Sequence, residues 1–425
     1  MEIHIPHTQL KRVVIIGGGF GGITLANKLD DKLFQVVLID KHNYHQFQPL
    51  LYQVASSGLD ISSISFPFRK VFNKRKNFYF RLAEVTSILA DQNKIETTIG
   101  DLTYDYLVIA AGTTTNFFGN KEVEKAALPM KSVEEALTLR TNLLLNLEKA
   151  LDCEDPEEQQ CLLNVVIVGG GATGVEIAGA LSEMKRYIIP KDYPDLKDKK
   201  INIYLIEGTN KLLSAMSESS SSHALKFLKG MGVSVILEKL VTGYENNQVI
   251  LNSGETIPTK TLIWVSGVTA NHFNSIPSEL RGKGGRLIVD EFNYLKDSSN
   301  IFVIGDICMQ TETAYPNGYP QVAPVAIQQG KLLAKNLKKL QKREKLQAFQ
   351  YNNQGTLATI GRNKAVADIH QVKLFGFPAW AVWMLVHLRS ILGVKNKIII
   401  LLDWVWNYFT YDQSMRFILF PKNKK

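Results

Sequence analysis

Residues 12–40 read RVVIIGGGFGGITLANKLDDKLFQVVLID. Four consecutive β-branched residues, 13–16, predict a buried strand; the apolar spacing over 23–29 predicts a helix, and 36–39 a second strand ending on Asp40. Between first strand and helix stand Gly17, Gly19 and Gly22 in the spacing GxGxxG. Each glycine has a physical task there: a tight turn, close approach of a pyrophosphate to the backbone, and packing of helix on strand. The helix start then offers free N–H groups and the positive end of its dipole to the phosphates. Asp40 is placed to accept from a ribose hydroxyl. A glycine turn alone carries little weight, but strand, glycines, helix, strand and acid in that order describe a dinucleotide-binding βαβ unit.

The pattern occurs a second time. Residues 164–207 contain a strand at 165–168, then Gly169, Gly171 and Gly174, a helix at 175–184, a strand at 201–206 and the acid Glu207. Two fingerprints imply two dinucleotides, and the economical pairing is a flavin with a nicotinamide. An acid after the second strand suits the free ribose of NADH, whereas the 2′-phosphate of NADPH calls for Arg or Lys. Further apolar strands are predicted at 106–111, running into Gly112, at 262–265, two residues before Gly267, and at 301–304, two before Asp306. A helix is predicted at 133–151. The fold class is therefore α/β with two Rossmann-like domains.

A chain of 425 residues predicts two or three domains, each able to bury its own core. Three cysteines, Cys153, Cys161 and Cys308, cannot form a disulfide framework, and no CxxC or CxxH spacing suggests a metal site. A reducing, cytoplasmic compartment is expected, and the N-terminus shows no signal-peptide pattern. The net charge of +9 is segregated: residues 331–425 carry 17 Lys and Arg against 4 Asp and Glu, and the preceding residues 32 against 36. A basic end on a slightly acidic body points to a polyanionic partner, either nucleic acid or an anionic membrane leaflet.

GGGFGG (17–22), AAGT (110–113) and IFVIGD (301–306) resemble the two-dinucleotide-binding flavoproteins. FQPLLYQVA (47–55), GGGATGVEIAGAL (169–181), APVAIQQG (323–330), FPAWAVWMLVHLRSILG (377–393) and DWVWNYFTYDQSMR (403–416) are similar to type II NADH:quinone oxidoreductases. The resemblance implies FAD held by Gly17, Gly19, Gly22, Asp40, Gly112, Asp306 and Ala323. It implies NADH as substrate at Gly169, Gly171, Gly174, Glu207 and Gly267, in a domain inserted within the FAD domain. The expected boundaries are 1–119 and 291–345 for FAD, 120–290 for NADH, and 346–425 for a C-terminal membrane-associating domain. It also implies that Glu176 positions the nicotinamide or handles protons, and that Gln328 lies beside the flavin at a helix start. By their positions alone, Glu176 is a first-turn carboxylate complementing the helix dipole, and Gln328 and Gln329 could equally face solvent. In one place the chain departs from the family: Pro324 replaces the first glutamine of the AQxxxQ quinone motif.

Residues 41–58 contain no cysteine, so electrons must leave without a dithiol beside the flavin. Four of the five tryptophans fall between Trp380 and Trp406, and the longest stretch there free of charged residues, 374–388, is short of the roughly 20 residues a spanning helix needs. Residues 396–409 are, apart from Lys397, apolar except for a stripe of Asn396, Asp403, Asn407 and, just beyond, Thr410. Such a helix lies in the membrane interface, with Lys395, Lys397, Lys422, Lys424 and Lys425 on anionic lipid. The same apolar surface suits a homodimer. The expectation is a monotopic enzyme on the cytoplasmic face of the cell membrane, passing electrons from NADH through FAD to a membrane quinone without proton pumping or nucleic-acid binding. Its rivals are a reductase of a soluble protein acceptor and a flavoprotein resembling apoptosis-inducing factor. The first leaves the tryptophan tract unexplained, and the second calls for basic charge spread over the folded domains.

Overall fold

The computed structural model describes residues 1–412 and 415–418. The chain forms two compact units, one from residues 1–46, 65–114 and 268–353, the other from 47–64, 115–267 and the chain from 354 onward.

In the first unit Lys11–Ile16 is the central strand of a five-stranded sheet, flanked by Phe34–Asp40 and Tyr106–Ile109, with Phe78–Leu82 and Ile301–Val303 at the edges. Every pairing is parallel. Parallel strands are buried on both faces, which is why this sequence shows continuous apolar runs instead of alternation. The helix Phe20–Lys28 starts three residues earlier than its apolar spacing suggests, because Gly21 and Gly22 already lie within it. Gly21 and Gly330 permit its close packing with the helix Ala323–Gln341: a Cβ on Gly330 would come within 2.7 Å of the Gly21 carbonyl oxygen.

The second unit repeats the architecture with Leu128–Pro129, Thr261–Trp264, Asn164–Val168, Asn202–Ile206 and Val233–Ile236, again all parallel. The predicted helix at 133–151 is present as Val133–Leu151, opened by a capping box of Ser132 and Glu135. The acidic stretch at 152–160 runs into the helix Pro156–Leu163, capped by Asp155 and burying Cys161. The helix Ala172–Tyr187 outruns its predicted end at 184 and lies directly on an antiparallel sheet, Thr356–Gly361, Lys364–Ile369 and Val372–Phe375. A Cβ on Gly179 would sit 1.7 Å from the Ile360 carbonyl oxygen, so helix and strand meet at backbone distance. Two helices, Phe377–Ser390 and Val394–Thr410, follow, and no helix among the described residues is long and apolar enough to cross a membrane.

Candidate active site

The two glycine fingerprints are near-copies in three dimensions. Gly17 (φ +97°) and Gly169 (φ +114°) occupy backbone conformations that favour glycine. Their N–H groups donate to Ile39 and Ile206 respectively, both at 2.8 Å. A Cβ on Gly22 would lie 1.9 Å from the Gly17 oxygen, and one on Gly174 1.8 Å from the Gly169 oxygen. Gly19 and Gly171 each precede the first helical residue, with open space where a Cβ would stand. These are cradles that side chains would fill, each at a helix N-terminus, and the residues fit a bound dinucleotide in each unit.

The two acids also match. Asp40 Oδ2 accepts from Gly18 N at 2.6 Å and Oδ1 from His42 N at 2.8 Å. Glu207 Oε2 accepts from Gly170 N at 2.6 Å, and Oε1 from Thr209 N and Oγ1 at 2.8 Å. Each carboxylate braces its own glycine loop and keeps acceptor capacity for a ribose. Burial pushes the Asp40 carboxyl up, and the Gly18 and His42 N–H groups pull it back.

Gly112 (φ +67°) accepts from Asn271 N at the end of its strand. Asp306 follows Gly305 (φ +77°), whose N–H donates 2.7 Å to Gln329 Oε1. Gln329 is thus a buried brace of that turn, a role the sequence left open between flavin and solvent. Gln328 is tied to the backbone of Asn352, donating to its carbonyl at 2.9 Å and accepting from its N–H at 3.0 Å. Ala323 begins its helix with Pro324 next, where the missing N–H is no loss. Gly267 (φ +83°) lies against the Phe118 ring in the second unit.

Glu176 opens onto a cavity within the second unit, of about 840 Å³ counting its solvent-open mouth. Tyr52 and Gln53 of the short helix Leu51–Ala55, Ala180 and Glu183 of the fingerprint helix, Thr359, Arg362, Trp383 and Trp404 contribute to the wall. Burial pushes the Glu176 carboxyl up to about 8, against the backbone N–H of Thr359 and the Trp383 indole, which favour the ionised form. The indole points at the carboxyl short of full hydrogen-bond geometry, so its N–H is left buried and unsatisfied. Burial, together with the charge of Glu176, holds the Tyr52 hydroxyl well above its ordinary range. Gln53 donates to Tyr52 Oη at 2.7 Å and accepts from Trp404 Nε1 at 2.9 Å. An apolar, aromatic pocket with a few polar groups and two carboxyls raised by burial, Glu176 and Glu183, suits a flat ring carrying oxygen acceptors.

The C-terminal tryptophans do not all sit at a surface. Trp383 is buried and Trp404 is tied to Gln53, while Trp406 is 61% exposed. The polar stripe of Val394–Thr410 turns inward: Asn396 donates to the carbonyls of Ser62 and Ser63, and Asn407 to that of Gly58. Ile398, Leu401, Leu402, Val405, Trp406 and Phe409 are left exposed. Of the flanking lysines, Lys422, Lys424 and Lys425 lie outside the described residues.

Residues 11–330 match the pyridine nucleotide-disulphide oxidoreductase family, and residues 353–411 the NDH2 C-terminal domain. The chain is 33% identical over 414 residues to a type II NADH:quinone oxidoreductase of Mycobacterium tuberculosis, covering 94% of this chain and 88% of that one. It is 31% identical over 431 residues to an internal alternative NAD(P)H-ubiquinone oxidoreductase of Solanum tuberosum mitochondria, covering 93% and 86%. The structure of NDH2 from Plasmodium falciparum in complex with NADH shares the fold with a TM-score of 0.88 at 22% identity, covering 97% of this chain and 100% of that one.

Proposed function

The chain belongs to the type II NADH:quinone oxidoreductases, and we propose that it works as a monotopic membrane enzyme holding FAD in the first unit and NADH in the second. When bound, a flavin would supply the redox chemistry, linking two-electron oxidation of NADH to reduction of the quinone. FAD is favoured because the first fingerprint is built for a pyrophosphate-linked dinucleotide. Gly17, Gly19 and Gly22 let its phosphates approach the helix start, Asp40 takes a ribose hydroxyl, and Gly112, Asp306 and Ala323 shape the rest of the cradle. Glu207 selects NADH over NADPH by repelling a 2′-phosphate.

The cavity beside Glu176 takes the quinone head group. One observation carries this reading: the wall with the displaced carboxyl is built partly by Phe377–Ser390 and Val394–Thr410, the second of which turns its apolar side outward. An apolar quinone arriving from lipid then needs no passage through water. Glu176, held protonated near neutral pH, is a proton donor to a reduced carbonyl. Gln328, engaged with Asn352, acts by fixing the start of its helix. The exposed apolar side, with Lys395 and Lys397 at its edge, docks on the anionic cytoplasmic leaflet.

The test is NADH oxidation by detergent-solubilised protein with a quinone, a ferredoxin or no acceptor in parallel. Fast turnover is expected with quinone alone. Turnover with ferredoxin that equals or exceeds it would refute the proposal.

A further inference from the structure

Glu176 has a counterpart on its own helix. Glu183 lies seven residues on, two turns and about 10.5 Å along the axis. Both carboxyls line the same cavity, and between them the wall is Ala180, a small side chain that leaves the path open. Glu183 is seated by design: its Oε1 accepts from Arg362 N at 2.5 Å, and Gly361 gives it room, since a Cβ there would come within 2.8 Å of the same oxygen.

Taking the cavity as the quinone site, as argued above, we propose that Glu183 is a proton-relay residue, passing a proton from the medium along this helix face to Glu176 and so to the quinone. The balance of the reaction requires such a supply. NADH loses a hydride and becomes NAD⁺; the quinone gains two electrons and two protons and becomes quinol. One proton accompanies the hydride, and the other comes from the medium. In the relay the Glu176 O–H bond breaks as a quinol O–H bond forms, and Glu183 reprotonates Glu176. About two or three waters would be needed to bridge the interval between the carboxyls.

The surroundings set the direction. Glu183 faces Arg362 and Lys364 of the hairpin, Tyr187 of its own helix and Tyr411 of the tail, whose ring lies 3.3 Å under the Arg362 guanidinium. Glu176 faces Tyr52 and Gln53 of the short helix, the Thr359 N–H and the Trp383 indole. Burial raises both carboxyls, but Arg362 and Lys364 hold Glu183 back, and Glu176 has no cation among its partners in the described residues. The proton therefore moves toward Glu176.

The test pairs Glu183→Gln, which keeps the acceptor for Arg362 N but carries no proton, with Ala180→Phe, which fills the cavity. Quinone turnover is compared with that of ferricyanide, an acceptor that takes no proton. For Glu183→Gln the quinone-to-ferricyanide ratio of kcat should fall about tenfold or more, with KM for quinone within about twofold, and added formate should restore it. Ala180→Phe should abolish quinone turnover. If Ala180→Phe blocks the quinone while Glu183→Gln keeps the wild-type ratio and pH profile, the relay is refuted and the cavity assignment stands. If Ala180→Phe leaves quinone turnover intact, the cavity assignment fails and the relay with it. Equal loss with both acceptors, or a loss that formate does not restore, assigns Glu183 a structural role and overturns the proposal. Should Glu183→Gln fail to fold, the wild type decides: a solvent deuterium effect on quinone turnover no larger than that on ferricyanide overturns the relay.

Discussion

Replacing Glu176 by glutamine should stabilise the protein, and the gain should depend on pH. The carboxyl ionises at about 8 in the folded chain, against an ordinary value of 4.5. Below pH 4.5 the acid is protonated in both folded and unfolded chains and carries no penalty. Between 4.5 and 8 the unfolded chain releases its proton while the folded chain holds on, so stability is lost as pH rises, by about 1.4 kcal/mol per pH unit. Above 8 the loss is complete, at most about 5 kcal/mol and reduced to a few by water in the cavity. Glutamine is nearly isosteric and keeps an acceptor for the Thr359 N–H without the ionisation. The expected result is equal stability of wild type and variant near pH 4.5, and a variant more stable by about 2 to 4 kcal/mol near pH 8. Urea unfolding of flavin-loaded protein at several pH values, followed by tryptophan fluorescence, measures this directly. A stability difference that does not change with pH, or a variant less stable at pH 8 than wild type, would refute the account of Glu176 as a carboxyl held neutral by burial.

Three further outcomes test other parts of the site. Wild-type kcat/KM should favour NADH over NADPH by at least about tenfold, and Glu207→Gln should narrow the gap; a variant that still rejects NADPH equally well would take the role from Glu207. Gly22→Ala, whose Cβ would lie 1.9 Å from the Gly17 oxygen, should yield protein with little bound flavin, while Gly174→Ala should keep its flavin and lose NADH binding, as read from flavin absorbance and bleaching by NADH. Leu402→Glu, at a side chain 61% exposed, should change folding stability by less than about 0.5 kcal/mol yet weaken flotation with anionic vesicles; unchanged flotation would argue against docking through this face.

The glycine fingerprints were legible because everything that defines them is local. Strand, turn, helix and acid lie within about 30 residues, and each glycine is demanded by its own backbone or by a neighbour in the same unit. Residues 47–64 were not legible in the same way. Nothing in FQPLLYQVA shows that it joins the second unit and supplies Tyr52 and Gln53 to a cavity, because that depends on partners more than 100 residues away. Glu183 gave no local signal either: a glutamate in the middle of an amphipathic helix reads as a solvated side chain, and the hairpin at Arg362 makes it a half-buried one. Pro324 was readable as a substitution, and its seat at a helix start explains why the backbone accepts it.

The C-terminal helix shows what an amphipathic pattern leaves open. Amphipathic periodicity identifies two sides but does not say which meets protein. In an ordinary surface helix the polar stripe meets water and the apolar side meets the core. In Val394–Thr410 the polar stripe instead satisfies backbone carbonyls at Gly58, Ser62 and Ser63, groups that would be costly to bury unpaired. With the polar groups committed inward, the apolar side has nowhere to face but outward, and lipid is the medium in which that exposure carries no cost. The same inversion explains why the tryptophans divide: Trp404, on the polar side, is drawn to Gln53 in the cavity wall, while Trp406, two residues on, points away. One helix thus carries both the exposed apolar side proposed to meet the membrane and part of the wall of the pocket proposed to take the quinone.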